Sequence, residues 1–172
     1  MRRHVVLVGL PGSGKTTVGQ LVAQRLRAGF VDIDAILTRR EGKPIALIFA
    51  EKGEAAFREM ERKEMETALG NAPAVIAPGG GWAAQPGAIA AAKPHALVVY
   101  LRTRPETAAQ RAAPEGTRPL LVGEDPVTRM RQLHKEREAF YTTAHAAVDT
   151  DRNTAQQVAN EIVRLAQSSA GW

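Results

Sequence analysis

The sequence predicts a doubly wound α/β fold, a five-stranded parallel sheet with helices on its faces. Three observations predict it. Short apolar runs alternate with longer amphipathic segments along the 172 residues, the order in which parallel strands and crossover helices follow one another. The first run, Val5 to Val8, is apolar throughout, as a strand buried on both faces must be. It leads directly into a glycine-rich loop and then an amphipathic segment.

The elements follow in order. Lys15 to Arg27 reads as a helix with Val18, Leu21, Val22 and Leu26 on one face. Phe30 to Ile33 is a second strand. Residues 35 to 42 read as a helix stopped by Gly42, and Ile45 to Lys52 as a short one. A longer helix runs from Gly53 to Leu69, before Gly70 and Pro73. Ala74 to Ala77 is a third strand, Ala88 to Ala92 a helix, and Ala96 to Leu101 a fourth strand. Pro105 suits the first turn of a helix reaching about Arg111. Residues 112 to 125 contain proline and glycine without hydrophobic period and read as a loop. Pro126 opens a long helix to about Thr143. Ala146 to Val148 is a candidate fifth strand, and Thr154 to Ala166 the closing helix, with Val158, Ile162 and Leu165 inward.

Length fits one domain, residues 1–172, with a sizeable core. Hydrophobic residues at 44% and charged residues at 24% are ordinary for a globular chain. Cysteine is absent, which excludes disulfides and thiolate metal sites. His4, His95, His134 and His145 lack metal-ligand spacing. The apolar run after Arg2 and Arg3 is too short for a secretory core, and nothing approaches a transmembrane length. The expectation is a cytoplasmic enzyme without a membrane partner. The net charge of +5 is compatible with nucleic-acid binding. However, aromatics are only 5% and form no aromatic-and-basic stripe of the kind that grips single strands. An anionic small molecule accounts for the excess equally well.

Gly9-Leu10-Pro11-Gly12-Ser13-Gly14-Lys15-Thr16 matches the phosphate-binding P-loop pattern. Glycines let backbone N–H groups curl around phosphate oxygens, and the following helix presents its positive end to the same anion. Lys15 reaches the β- and γ-phosphates, and the Thr16 hydroxyl can ligate Mg²⁺. The competing reading is a glycine turn between strand and helix; the apolar strand before the loop and the amphipathic helix starting at Lys15 argue against it. Candidate ATP contacts are Gly12, Ser13, Gly14, Lys15, Thr16 and Thr17.

Asp32-Ile33-Asp34 closes the second strand. A spacing of two puts both carboxylates on one strand face, at the carboxyl end where α/β sheets bind ligands. Asp32 then serves Mg²⁺ and Asp34 an attacking hydroxyl. Alternatively, Asp34 caps the helix at 35. Further along stand Phe57-Arg58 with Glu61, Gly79-Gly80-Gly81, Arg118-Pro119-Leu120-Leu121, and Arg137 with Tyr141. Taken alone, each has a plain reading. Arg58 and Glu61 form an exposed helical ion pair, and Phe49 and Phe57 are core. The glycines are a turn, and Arg137 belongs to a solvated charge run.

In this order, and spanning nearly the whole chain, these pieces resemble shikimate kinase. The resemblance implies a P-loop NTPase fold with strand order 2-3-1-4-5, ATP and shikimate as substrates, Mg²⁺ as cofactor, and a monomer. It implies that Arg58 and Arg137 bind the acceptor's carboxylate, a planar group that suits a guanidinium fork. Glu61 would orient Arg58, and Gly80 would donate its N–H to an acceptor hydroxyl. The acceptor segment is about 33–61, and a mobile lid spans about 112–125. Phe49, Phe57, Glu61, Pro119 and Leu120 are pocket walls. Arg118 meets the transferring phosphate, and Arg111 lies against adenine. Lys15, Asp34 and Arg118 are the catalytic set, with Asp34 mainly orienting the 3-hydroxyl. Two features depart from the family. Trp82 replaces a residue more often small, so that its ring either narrows the pocket or packs away. The loop near 151–154 lacks a proline many relatives carry. Two rival functions remain: a kinase for another small metabolite, such as gluconate or a nucleoside monophosphate, and a non-catalytic nucleotide- or nucleic-acid-binding module. Intact Lys15, Thr16, Asp32 and Asp34 argue against the second.

Overall fold

The computed structural model describes residues 1–112 and 125–172. Five strands form one parallel sheet: β1 (His4–Val8), β2 (Gly29–Asp32), β3 (Ala74–Ala77), β4 (Ala96–Arg102) and β5 (Ala146–Asp149). The order is β2-β3-β1-β4-β5, with every neighbouring pair parallel, as the resemblance implied.

Alternation along β1 sorts its side chains between two cores. Val5 and Leu7 pack with Val18 and Val22 of α1 (Lys15–Leu26) and with Val158 and Ile162 of α8 (Ala155–Ser169). Val6 and Val8 face the opposite layer. That layer is built from α2 (Ile33–Glu41), α3 (Ile45–Lys52), α4 (Glu54–Gly70), α5 (Ala88–Ala92), α6 (Pro105–Ala112) and α7 (Pro126–Tyr141). Burial on both faces is why β1 and β4 are apolar almost without interruption.

The ends of the elements are set by local chemistry. The closing helix begins at Ala155, because Thr154 and Gln157 form a reciprocal capping box. A larger correction concerns the second strand. It ends at Asp32, and α2 begins at Ile33. Asp32 accepts the Ala35 N–H at 3.1 Å and is itself the cap. Asp34 therefore neither shares a strand face with Asp32 nor caps the helix; it sits in the first turn of α2.

Candidate active site

The sheet register brings the loops after β1, β2 and β3 together. Val6 is paired with Ile76, and Asp32 with Ala77, so the chain leaving β3 emerges between the P-loop and the start of α2. That chain is Gly79-Gly80-Gly81, and each glycine touches a different part of the site. A Cβ on Gly79 would stand 2.5 Å from Glu61 Oε2 and 2.9 Å from Asp34 Oδ1. One on Gly80 would stand 3.1 Å from Arg137 Nη1 and 3.2 Å from the Gly9 carbonyl oxygen. One on Gly81 would overlap the Arg58 guanidinium. The triple glycine is thus a close-packed junction and not a simple turn.

On the nucleotide side, Gly12 (φ +79°) and Gly14 (φ +96°) bend the loop through backbone that L residues rarely adopt. Lys15 Nζ donates to the Gly9 and Leu10 carbonyls, both at 2.9 Å, so its charge lies over the loop. The Thr16 hydroxyl donates to Asp32 Oδ2 at 3.2 Å. Ser13 is buried, and its hydroxyl has no hydrogen-bond partner among the described residues. A cavity of about 240 Å³ is lined by Ser13, Gly14, Thr17, Arg111, Thr150 and Asn153, among others. Arg111 is held at its rim by hydrogen bonds to Thr150 Oγ1 (3.4 Å) and the Thr150 carbonyl (3.3 Å). Thr150 is buried and pairs with Thr103 at 2.6 Å. No sequence pattern signals Thr103 or Thr150, ordinary threonines that directly follow β4 and β5.

On the acceptor side, Arg58 Nη1 donates to Glu61 Oε1 at 2.9 Å. The two side chains are 13% and 1% exposed, so this is not the solvated pair that helix spacing alone suggests. Phe57 is buried, whereas Phe49 is only partly so. Their rings lie 4.7 Å apart, and the Arg58 guanidinium carbon is 5.6 and 5.5 Å from the ring centres of Phe49 and Phe57. Cation–π contact thereby orients the fork. Burial raises the Glu61 carboxyl to about 7; Arg58 opposes that rise, neighbouring Asp34 adds to it, and Arg137 opposes it.

Arg137 is 6% exposed, which overturns its reading as part of a solvated charge run. Four residues on and on the same helical face, the Tyr141 hydroxyl donates to the Gly80 carbonyl at 2.8 Å. Burial raises the Tyr141 pKa, and Arg137 opposes that shift. Tyr100 stacks on Tyr141 at 5.2 Å and donates to Glu138 at 2.5 Å. Trp82 lies in a short 3₁₀ turn, Trp82–Ala84, is buried and joins the core, and it lines a cavity that Arg58 also borders. Arg118, Pro119 and Leu120, with the lid residues 113–124, lie outside the described residues.

Chemically, the arrangement sets a phosphate cradle beside two largely buried guanidinium groups, with Asp34 and Glu61 between them. Among the described residues no helix is long and apolar enough to cross a membrane.

A family model described as "SKI: Shikimate kinase" matches residues 11–167. A curated shikimate kinase from Symbiobacterium thermophilum is 41% identical over 167 residues, covering 95% of this chain and 96% of the relative. Among solved structures, a shikimate kinase from Acinetobacter baumannii in complex with shikimate superposes with a TM-score of 0.92 at 35% identity, covering 98% of this chain and 94% of that one. A gluconokinase from Sinorhizobium meliloti superposes with a TM-score of 0.67 at 20% identity, covering 99% and 94% respectively, a likeness of fold alone.

Proposed function

The chain belongs to the shikimate kinase family, and we propose that its site transfers the γ-phosphate of ATP to the 3-hydroxyl of shikimate. The observation that carries the reading is the pair Arg58 and Arg137. Both are largely buried and both touch the triple glycine beside the P-loop. A guanidinium held out of water binds a carboxylate far better than an exposed one. Two of them at one junction call for an anionic acceptor.

Phosphoryl transfer needs little covalent help, so the protein's work is placement and charge stabilisation. Asp34, in the first turn of α2 and against Gly79, holds the acceptor's 3-hydroxyl and receives its proton as the bond to phosphorus forms. Lys15 leaves the loop carbonyls it now binds for the β- and γ-phosphate oxygens. By family resemblance, Arg118 meets the transferring group, and Pro119 and Leu120 are pocket walls. The adenine occupies the cavity beside Arg111, Thr17 and Asn153. Gly80 offers its N–H to an acceptor hydroxyl, while Phe49 and Phe57 wall the ring.

Mg²⁺ fits the residues present. Thr16 and Asp32 supply two hard oxygen donors at the loop, which suits an ion that keeps most of its shell from water and phosphate. Bound there, it would offset charge on the phosphate oxygens. Residues 1–172 act as one catalytic unit and as a monomer, with about 33–61 forming the acceptor side.

ADP release, followed with shikimate, quinate, gluconate and nucleoside monophosphates as separate acceptors, tests the assignment. Release should depend on shikimate. Turnover with gluconate or a nucleotide and none with shikimate would overturn it.

A further inference from the structure

We propose that Glu61 holds a proton whose uptake is linked to acceptor binding, so that its protonation sets how much of the Arg58 charge is available to the acceptor carboxylate. The inference deepens the proposed function and rests on it.

The geometry divides the two oxygens of Glu61 between separate tasks. Oε1 accepts from Arg58 Nη1 at 2.9 Å and can do so in either protonation state. Oε2 is buried, has no hydrogen-bond partner among the described residues, and faces Gly79 together with Asp34 Oδ1. A carboxylate oxygen that is desolvated, unpartnered and beside a second carboxylate is where a proton is retained. The proton therefore sits on Oε2, leaving the Arg58 contact intact.

Among the described residues, the charged groups facing Glu61 come from three helices. Arg58 lies on its own helix α4, Asp34 on α2 and Arg137 on α7. The β3 loop contributes only glycines, and α3 contributes Phe49 beside Arg58. Glu54 stands 3.7 Å from Arg58 and is largely exposed. With Glu61 ionised, its charge and that of Asp34 balance Arg58 and Arg137. With Glu61 neutral, the cluster carries one net positive charge, which an acceptor carboxylate matches. An arriving anion in turn raises the proton affinity of Glu61, because like charges disfavour ionisation. Linkage then requires proton uptake on binding, and affinity must fall as pH rises through the Glu61 titration near 7. The acceptor's own carboxylate is ionised throughout that range.

The test is calorimetric titration of the full-length protein with shikimate, in buffers of differing ionisation enthalpy, from about pH 6 to about pH 9. The wild type should take up a fraction of a proton, largest just above neutrality. Its affinity should weaken by up to about tenfold per pH unit beyond that. E61Q, neutral and similar in shape, should exchange no proton and show a flat profile. Should E61Q fail to fold, infrared difference spectra of the wild type decide: shikimate should strengthen a protonated-carboxyl band. Zero proton exchange in the wild type, with no such band while shikimate binds normally, would overturn the proposal and spare the kinase assignment. Absence of shikimate binding at any pH would defeat both.

Discussion

The guanidinium of Arg58 lies against the backbone of Gly81, in the space that a Cβ at that position would need. Pinned on its other sides by Phe49, Phe57 and Glu61, it has little room to retreat. G81A should therefore displace the fork that receives the acceptor carboxylate. The KM for shikimate is expected to rise about 10- to 100-fold, the cost of one misplaced charge-assisted pair. The KM for ATP should stay unchanged, since the three atoms nearest to a Cβ at Gly81 all belong to Arg58. Initial rates with each substrate varied separately measure both. An unchanged shikimate KM would remove Arg58 from the acceptor site.

Asp34 and Asp32 separate cleanly by role. Asp32 binds Thr16 and caps α2, whereas Asp34 meets Gly79. D34N should preserve ATP affinity, measured by a fluorescent nucleotide, and lower kcat by about 100-fold or more through lost hydroxyl positioning. Near-normal turnover would refute the role.

The P-loop side was legible because strand, glycines, lysine and helix all lie in one local stretch, and the chain places them as read. The acceptor side was legible only as residue types in order. Arg58 with Glu61, and Arg137 between acidic neighbours, carry the local signature of exposed helical charge. Their burial comes from α2, the β3 loop and α7 closing on one another, which no spacing along a single helix reveals. The strand-to-helix boundary at Asp32 was misread for the opposite reason. A single side-chain hydrogen bond to the Ala35 N–H ends the strand one residue before its hydrophobic pattern does. The burial of Trp82 is likewise a tertiary outcome, decided by the core available to it.

Thr150 ties the nucleotide cavity to the end of β4. Its hydroxyl meets Thr103, the Arg102 carbonyl and Arg111. T150V keeps the volume but strands the Thr103 hydroxyl, which is buried. Stability should fall by about 1–3 kcal/mol. Loosened Arg111 should raise the KM for ATP several-fold without moving that for shikimate. If both constants move together, Thr150 is structural only.

Burial of Glu61 also makes stability depend on pH, with a sign opposite to the usual carboxylate. Its pKa rises from 4.5 to about 7 on folding, so between those values the folded state binds more protons than the unfolded one. Stability then falls as pH increases through that window. Below 4.5 the contribution is fully present; above about 7 it is lost. The shift corresponds to about 3 kcal/mol across the window. Urea unfolding at intervals from about pH 5 to about pH 8, on wild type and E61Q, isolates it from other groups. The difference between the two proteins should slope with pH over this range and level off above it. A difference that stays constant would mean that Glu61 is ionised throughout, screened by Arg58 strongly enough to cancel the cost of its burial.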